Sequence, residues 1–405
     1  MSRNPLADIV ASHVDAGSLA GVAALVWRDG EVRHVVTIGR RDLASERPVE
    51  RDTIFRIASM TKPVTTVAAL ALHDEGLFDL DDPITVCAPE LARMRVLREP
   101  DGPLDATDET ARPITFRDLL THCSGLTYGD FHRGPIGRAS AETLGGQIDN
   151  TLTPDEWIAR LGTLPLVDQP GKHFHYGLST DLLGFLIARI EGMPLGEVLR
   201  RRVFAPLGMR DTGFNVARDA RHRRAGLCGF DDEGRPMALQ TAPGGHAVSE
   251  RPETMTFESG GQGLWSTIDD YLVFARMLID DADDGALLRP ETLAMMTSNR
   301  LTKDQRVAAR QFGQAIFAEG HGYGMGVAVV TEPKKADPLR CSGGVGTIGW
   351  PGAYGGWWQA DPNDGSVLIF LSHNMVDLPQ MMRGIGLGVW SAIRDFHATA
   401  QSASA

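Results

Sequence analysis

Apolar residues form short β-type runs at both ends of this chain. Near the N-terminus, residues 21–27 and 32–38 are rich in valine and other apolar residues, and they flank Asp29-Gly30. An Asp-Gly pair between two such runs is a strong signal for a tight hairpin. Residues 356–360 and 366–371 repeat this arrangement near the C-terminus. The pattern therefore predicts a β-hairpin at each end of the chain.

The middle of the chain instead has apolar residues at helical spacing. We predict helices at 62–73, 115–122, 180–190 and 268–278, terminal helices at 5–16 and 377–396, and a further strand at 323–330. The segments 98–113 and 128–150 are rich in turn-forming and polar residues, so they are predicted to be surface loops.

This order of elements predicts an α/β (α+β) fold. One antiparallel sheet would be assembled from both chain ends and flanked by the N- and C-terminal helices, with a mainly helical lobe inserted. We expect residues 1–58 and 265–405 to form the sheet domain and residues 59–264 to form the helical domain. A cleft between two such lobes is a common place for a binding site.

Composition narrows the possible partners. The chain has 405 residues, a net charge of −12 and a pI near 5.5, so nonspecific binding to nucleic acid is not expected. We see neither a secretory signal pattern nor an apolar run long enough to span a bilayer, and we therefore expect a cytoplasmic protein that does not bind membranes. The four cysteines form no CxxC pair and are expected to be reduced thiols. The oligomeric state stays open.

The sharpest chemical feature is Ser59-Met60-Thr61-Lys62 at the start of the helix predicted at 62–73. A spacing of three residues places the hydroxyl of Ser59 and the amine of Lys62 on one helix face, one turn apart. Burial and the positive end of the helix both disfavour an ammonium ion there. Lys62 is thus a candidate base that deprotonates Ser59 for attack on a carbonyl.

Other interpretations of these and further residues have to be weighed. Ser59 could simply cap the helix while the Lys62 amine reaches solvent. The pair Ser372-His373 is a weak candidate for a triad, because neighbouring strand residues point to opposite faces. For His173 and His175 a structural role is favoured over metal binding, since no further ligands are nearby in the sequence. No Gly-x-Ser-x-Gly motif occurs.

Several segments in the same order resemble landmarks of the class C β-lactamases and their relatives. Besides Ser59-x-x-Lys62, they are residues 114–126, 170–184 around Tyr176, 203–213, 260–267 and 349–355. Within this superfamily the chain is most similar to the family VIII carboxylesterases, which share the β-lactamase fold. The resemblance implies a serine hydrolase in which Ser59 is acylated and Tyr176 is a second base, hydrogen-bonded between Ser59 and Lys62.

The same resemblance implies further site residues. The backbone N–H groups of Ser59 and Ala353 would form the oxyanion hole. Tyr128 resembles a second active-site tyrosine of some family esterases, and Trp350 and Gly352 would join it in binding the substrate. Independently of the resemblance, the missing backbone N–H of Pro351 predicts that this residue lies on an edge strand open to the substrate. No metal and no organic cofactor is expected.

Two departures from the family pattern bear on the substrate. Leu178 stands where the penicillin-recognising enzymes carry asparagine, and Trp350-Pro351-Gly352 stands where they carry Lys-Thr-Gly or His-Thr-Gly. Both remove polar groups that hold a β-lactam, and so favour small, uncharged carboxylic esters. Three alternatives stay open: a β-lactamase, D-amino-peptidase or other amide hydrolase; an acyltransferase with the same residues; and, in another class, a ligand sensor without turnover.

Overall fold

A computed structural model describes residues 4–279, 287–311 and 313–402 of the chain. Within these ranges the main sheet has eight antiparallel strands in the order β12-β13-β14-β15-β16-β1-β2-β3. The strands are β1 Gly21–Arg28, β2 Glu31–Asp42, β3 Arg47–Pro48, β4 Phe55–Arg56, β5 Arg95–Leu97, β6 Thr107–Glu109, β7 Cys228–Phe230, β8 Pro236–Ala238, β9 Trp265–Ser266, β10 Arg310–Gln311, β11 Gln314–Ala315, β12 His321–Tyr323, β13 Ala328–Val330, β14 Ile348–Gly349, β15 Trp357–Asp361 and β16 Ser366–Ser372.

Most of the helices lie between the two parts of the sheet along the chain. They are α1 Pro5–Asp15, α2 Thr61–Asp74, α3 Phe116–Leu120, α4 Pro135–Leu144, α5 Pro154–Leu161, α6 Ser179–Glu191, α7 Leu195–Leu199, α8 Ala205–Leu207, α9 Ile268–Met277, α10 Pro290–Met296, α11 Lys303–Ala308, α12 Leu378–Met382 and α13 Gly388–Ser402. The predicted fold class, an antiparallel sheet built from both chain ends with a helical segment inserted, is confirmed.

The two faces of the sheet carry separate hydrophobic cores. Ala23 and Leu25 belong to the large core shared with the inserted helices, whereas Val22 and Ala24 pack with α1 and α13. Successive strand residues point to opposite faces, so a strand buried on both sides reads as a continuous apolar run. β1 and β16 are buried along most of their length, and for this reason their sequences do not alternate between apolar and polar residues.

A short two-stranded ladder joins the sheet to the helical segment. Phe55 pairs with Ser266 and Arg56 with Trp265, and the N–H of Ile57 donates to the carbonyl oxygen of Leu264 at 3.0 Å. The chain therefore leaves and re-enters the sheet region at neighbouring points. The nucleophile candidate Ser59 lies directly beside this ladder. The division into domains at 59–264 stays a prediction.

Four local predictions were wrong. The strand predicted at 323–330 is two strands, β12 and β13, because Gly326 turns the chain with a φ of 78°. The helix predicted at 377–396 is divided into α12 and α13, with Gly384 and Gly386 at positive φ between them. The predicted loop 98–113 contains β6, and the predicted loop 128–150 contains α4. Glycines at positive φ interrupt the first two segments, whereas β6 and α4 form against their local composition.

In the part of the chain that the structure covers, no helix is both long enough and apolar enough to cross a bilayer.

Candidate active site

Ser59 lies in a 3-10 turn, Ala58–Met60, that leads directly into α2. Ala58 has a φ of 43°, a left-handed conformation that is costly for a residue with a Cβ. The turn is held by the ladder behind it and by Pro63 at the third position of α2, where a missing backbone N–H costs nothing. The side chain of Ser59 is thus presented from a rigid and locally strained backbone, with 7% of its surface exposed.

Lys62 is fully buried one helical turn after Ser59. Its Nζ lies 3.3 Å from Oγ of Ser59, 3.0 Å from the phenol oxygen of Tyr128 and 2.9 Å from the carbonyl oxygen of Gly261. Three neighbours match the three positions of the amine group, so the side chain has one well-defined place. The alternative in which the Lys62 amine reaches solvent is therefore excluded.

Tyr128 is the phenol that contacts the Lys62 amine. Its side chain is 3% exposed. Burial, together with the negative charge of Asp181, raises the pKa of Tyr128 well above its ordinary value. Tyr128 is therefore a neutral phenol near pH 7 and accepts a hydrogen bond from Lys62.

Tyr176 occupies a different position from the one expected. Its phenol oxygen accepts a hydrogen bond from the indole N–H of Trp350 at 2.9 Å, and among the described contacts it has none with Ser59 or Lys62. The face of its ring covers the Lys62 amine instead, with Nζ 4.6 Å from the ring centroid. The expected hydrogen bonds of Tyr176 to Ser59 and Lys62 were therefore wrong for this conformation, although the residue does lie in the site.

Trp350 and His122 form the wall behind Tyr176. The ring centroids of both residues lie close to that of Tyr176, at 5.2 Å for Trp350 and 4.9 Å for His122. The guanidinium of Arg340 lies 4.9 Å from the Trp350 ring centroid. Burial, with a smaller effect of the Lys62 charge, lowers the pKa of His122 well below its usual value. His122 is thus a neutral packing partner.

The loop after β14 brings Gly352 and Ala353 to the turn that carries Ser59. A Cβ added to Gly352 would lie 2.5 Å from the carbonyl oxygen of Ile57, so only glycine permits this close approach. Among the described hydrogen bonds, neither the N–H of Ser59 nor that of Ala353 donates to a protein acceptor. Both amides are consequently available for an incoming oxygen atom.

The prediction that Pro351 marks an edge strand was wrong. β14 lies between β13 and β15 in the interior of the sheet and ends at Gly349. Pro351 follows it in a tight loop that is closed by a hydrogen bond from the N–H of Gly352 to the carbonyl oxygen of Gly356, at 2.7 Å. The proline is tolerated because the chain has already left the sheet.

Leu178 lies on the wall of an open pocket whose lining includes Asp181 but not Ser59, Lys62 or Tyr176. Trp157 and Phe257 line the same pocket, together with the polar side chains of Asp181 and Gln147. Leu178 itself is 6% exposed. The residue that replaces the family's asparagine therefore adds to an apolar wall and offers no side-chain donor or acceptor.

Asp181 is the main site residue that the sequence analysis missed. Its Oδ1 accepts hydrogen bonds from the Ser259 hydroxyl at 2.5 Å and from the N–H of Gly261 at 3.0 Å. Burial raises the pKa of this carboxyl, while the charge of Lys62 lowers it in part. Asp181 thus holds Gly261 in place, and the carbonyl oxygen of Gly261 accepts a hydrogen bond from the Lys62 amine. A buried carboxylate directly before the apolar run of α6 was the available signal.

The weaker candidates lie elsewhere. Ser372 donates to the carbonyl oxygen of Tyr354 at 2.7 Å, and the ring nitrogens of His373 contact two backbone carbonyl oxygens, so this pair is structural. His173 and His175 both contact the carboxylate of Asp168, at 2.6 and 3.1 Å. Neither histidine is hydrogen-bonded to Ser59, Lys62 or Tyr128 in the described structure.

Comparisons with known proteins give the context of this geometry. The sequence profile described as Beta-lactamase matches residues 6–384. Protein Rv1367c of Mycobacterium tuberculosis is 45% identical over 368 residues, which are 90% of this chain and 88% of the relative. Esterase EstB of Burkholderia gladioli is 33% identical over 374 residues, 88% of this chain and 86% of EstB.

A solved structure extends the match to three dimensions. It is that of EstCE1, described as a hydrolase with promiscuous acyltransferase activity, and it superposes with a TM-score of 0.77 at 26% identity over 97% of this chain and 98% of that one. The sheet of both chain ends, the inserted helices and the Ser59-Lys62 turn are thus arranged in the β-lactamase/transpeptidase-like fold. This chain belongs to the Beta-lactamase family and is a serine hydrolase with that fold.

Proposed function

We propose that this protein is a serine carboxylesterase that hydrolyses small, uncharged esters through an acyl-enzyme at Ser59. One observation carries the proposal: the fully buried amine of Lys62 lies 3.3 Å from Oγ of Ser59. This is close to hydrogen-bond distance for a base and the proton it removes, and such contacts often shorten when substrate binds. The similarity to EstB, an esterase by name, supports the same reaction class.

The three contacts of the Lys62 amine suit it for the first proton transfer. In the deprotonated form that acts as the base, Lys62 donates its two N–H groups to Gly261 and Tyr128 and keeps its lone pair for the Ser59 hydroxyl. The protonated form is the one whose charge lowers the pKa of Asp181. Ser59 then loses its proton to Lys62 as Oγ bonds to the ester carbonyl carbon. The amides of Ser59 and Ala353 receive the negative oxygen. None of the three neighbours has to move.

Tyr176 is placed to act on the second oxygen of the ester. The indole N–H of Trp350 occupies one lone pair of its phenol oxygen, which leaves the O–H to point at the leaving alcohol. We assign it the transfer of a proton to that alcohol and, after the alcohol departs, the removal of a proton from the attacking water. Microscopic reversibility requires the same group to serve both steps.

The apolar surroundings favour an ester over a β-lactam. Leu178 has no amide to bind the side chain of a lactam, and the turn Trp350-Pro351-Gly352 has no ammonium or hydroxyl to bind its carboxylate. Burying a polar group without a hydrogen-bond partner costs free energy, so a site that lacks these partners binds a β-lactam less well than an uncharged ester. We therefore rank ester hydrolysis above β-lactam or D-amino-peptide hydrolysis.

Acyl transfer is the second candidate. EstCE1 is described as a hydrolase with promiscuous acyltransferase activity, and it matches almost the whole chain. The acyl-enzyme is common to both reactions, so the outcome depends on whether water or an alcohol reaches it first. The same Ser59-centred chemistry would serve either acceptor.

A direct substrate comparison tests the proposal. Purified protein is assayed with p-nitrophenyl acetate and butyrate, with nitrocefin and with a D-Ala-D-Ala peptide. We expect ester kcat/KM to exceed that for the other two by at least about a hundredfold. Adding a primary alcohol to the ester assay measures transfer: a transesterified product forming faster than free acid would assign an acyltransferase. Faster turnover of nitrocefin or the peptide would reject the esterase assignment.

The two tyrosines should differ in which step they affect. Tyr128→Phe removes a hydrogen bond to the group that acts in both half-reactions, so acylation and deacylation should slow together, by about ten- to a hundredfold. With a p-nitrophenyl ester, whose leaving group needs no proton, Tyr176→Phe should mainly slow deacylation, and the acyl-enzyme should accumulate in intact-protein mass spectra. Tyr323→Phe is the matched control, because its buried phenol has no hydrogen-bond partner among the described residues. Equal acyl-enzyme fractions in the first two variants would contradict this assignment.

A further inference from the structure

The segment that leads into Tyr176 is held in place by backbone hydrogen bonds. The N–H of Gly171 donates to the carbonyl oxygen of Cys123 and that of His175 to the carbonyl oxygen of His122, both at 2.7 Å. Side chains on this segment therefore have fixed starting points. Three of them, Asp168, His173 and His175, form a cluster outside the residues assigned to ester hydrolysis.

We propose that Asp168, His173 and His175 form a binding site for one divalent transition-metal ion, of which Zn²⁺ is the expected occupant. One ligand atom from each residue lies within 4.8 Å of the other two. Oδ2 of Asp168 lies 2.6 Å from Nδ1 of His173 and 3.1 Å from Nε2 of His175. Two imidazoles and one carboxylate are a common ligand set for zinc with an open fourth position.

The ligand spacing needs only a small adjustment to hold the ion. Tetrahedral Zn²⁺ with bonds of about 2.0–2.1 Å places its ligand atoms about 3.3 Å apart. The two histidine–aspartate contacts are already near that separation, at 2.6 and 3.1 Å. The side chains of His173, His175 and Asp168 are 32%, 20% and 13% exposed, so they can open slightly and an ion can reach them from solvent.

The charges around the cluster are compatible with a bound cation. Asp168 is held as a carboxylate: burial raises its pKa, but the hydrogen bonds of His175 and His173 outweigh this and lower the pKa below its usual value. Lys172 is the competing cation, with Nζ 3.5 Å from Oδ1 of Asp168. The Lys172 side chain is 59% exposed, so it can turn toward water. It contacts Oδ1 of Asp168, whereas the two imidazoles contact Oδ2.

The sequence analysis favoured a structural histidine pair because it found no third ligand. Asp168 precedes the His-x-His pair by only five residues, yet the turn at Gly171, with a φ of 84°, is what brings its carboxylate back to both rings. The proposal does not depend on Ser59 being acylated, since none of the three ligands has a part in that chemistry.

Cobalt binding tests the site with a readout that is independent of activity. The full chain, free of any polyhistidine tag, is titrated with Co²⁺ while its visible absorption is recorded, and then with Zn²⁺ as a competitor. We expect one ion per chain, a visible band typical of a site with nitrogen ligands, displacement by Zn²⁺, and a rise in Tm on binding.

Conservative variants locate the site. His173→Gln and His175→Gln can still donate to Asp168, so each should fold and yet bind Co²⁺ at least tenfold more weakly; Asp168→Asn should do the same. His13→Gln is the matched control, because His13 pairs only with Asp395 in the described structure. A dissociation constant above about 1 mM, or binding that survives the combined His173→Gln and His175→Gln substitutions, would overturn the proposal.

Discussion

Ser59→Ala should lower ester turnover by about four orders of magnitude or more, because removing the nucleophile of an acyl-enzyme pathway leaves only the oxyanion hole and binding. The fold should be unaffected, since the Ser59 side chain makes only the contact to Lys62 among the described hydrogen bonds. The measurement is kcat/KM for p-nitrophenyl butyrate, with Tm as a check on folding. The variant should also fail to react with a fluorophosphonate probe.

Ser372→Ala is the matched control for this experiment. The Ser372 side chain is buried, with 1% of its surface exposed. Its hydroxyl donates a hydrogen bond to the carbonyl oxygen of Tyr354 and is not available as a nucleophile. Its loss should reduce stability by about 1 kcal/mol and leave kcat/KM within about twofold. Activity within tenfold of the parent in Ser59→Ala, or a large loss in Ser372→Ala, would contradict the assignment of the nucleophile.

Lys62→Met should reduce ester turnover by about three orders of magnitude, the upper part of the range for removing a general base. Methionine keeps most of the buried volume, so the loss reports the missing amine and not a cavity. The acylation step is affected first, and pre-steady-state bursts of p-nitrophenol should disappear. Lys335→Met is the control, because Lys335 pairs with two exposed glutamates on the surface.

The same variant should leave the carboxylate of Asp181 without its compensating charge. Lys62 lowers the pKa of Asp181 against the larger effect of burial, so without Lys62 that pKa rises further. When the pKa of a carboxyl group is higher in the folded than in the unfolded state, the free energy of unfolding of the protein falls as the pH rises above about 4. The stability deficit of Lys62→Met should therefore be larger at pH 8 than at pH 5.

Adding Asp181→Asn to Lys62→Met should restore stability but not turnover. Asparagine keeps the acceptor for Ser259 and Gly261 and removes the charge. The recovered free energy of unfolding should stay below the about 3–5 kcal/mol measured when a directly bonded buried ion pair is broken, because Lys62 and Asp181 are joined through Gly261. A double variant no more stable than Lys62→Met at pH 8 would show that the two charges are not coupled.

The sequence was sufficient for the fold class because the chain ends and the middle differ in hydrophobic pattern. The hairpin at Asp29-Gly30 was correctly predicted, and β1 and β2 flank it. The Ser59 and Lys62 side chains were also correctly expected to lie together, since a helix fixes the distance between positions three residues apart. Local rules determine both of these features.

The arrangement of the two tyrosines could not be derived in the same way. Tyr128 and Tyr176 come from separate loops that meet where a Cβ on Gly177 would lie 2.3 Å from Cα of Thr127. Which phenol then reaches the Lys62 amine depends on packing against Trp350 and on the neighbouring rings, and not on any spacing in the chain. Sequence reasoning therefore exchanged the contacts of the two residues.

The loop after β14 shows the same limit. The place of Gly352 and Ala353 in the site followed from resemblance, whereas the position of Pro351 was inferred from local hydrogen-bonding rules that assumed a strand. The chain leaves the sheet after Gly349, so Pro351 is not part of a strand and those rules do not apply to it. Asp181 escaped notice because a carboxylate in the first turn of a helix is also explained by the helix dipole.

Trapping the covalent intermediate tests the central claim most directly. Wild-type protein is mixed with a slowly hydrolysed p-nitrophenyl ester, quenched in acid within the first turnover, digested and analysed by mass spectrometry. The account predicts that one acyl group replaces one hydrogen on the peptide that contains Ser59, and that this adduct is absent from Lys62→Met. An unmodified Ser59 peptide during active turnover, or an acyl group on any other residue, would contradict it.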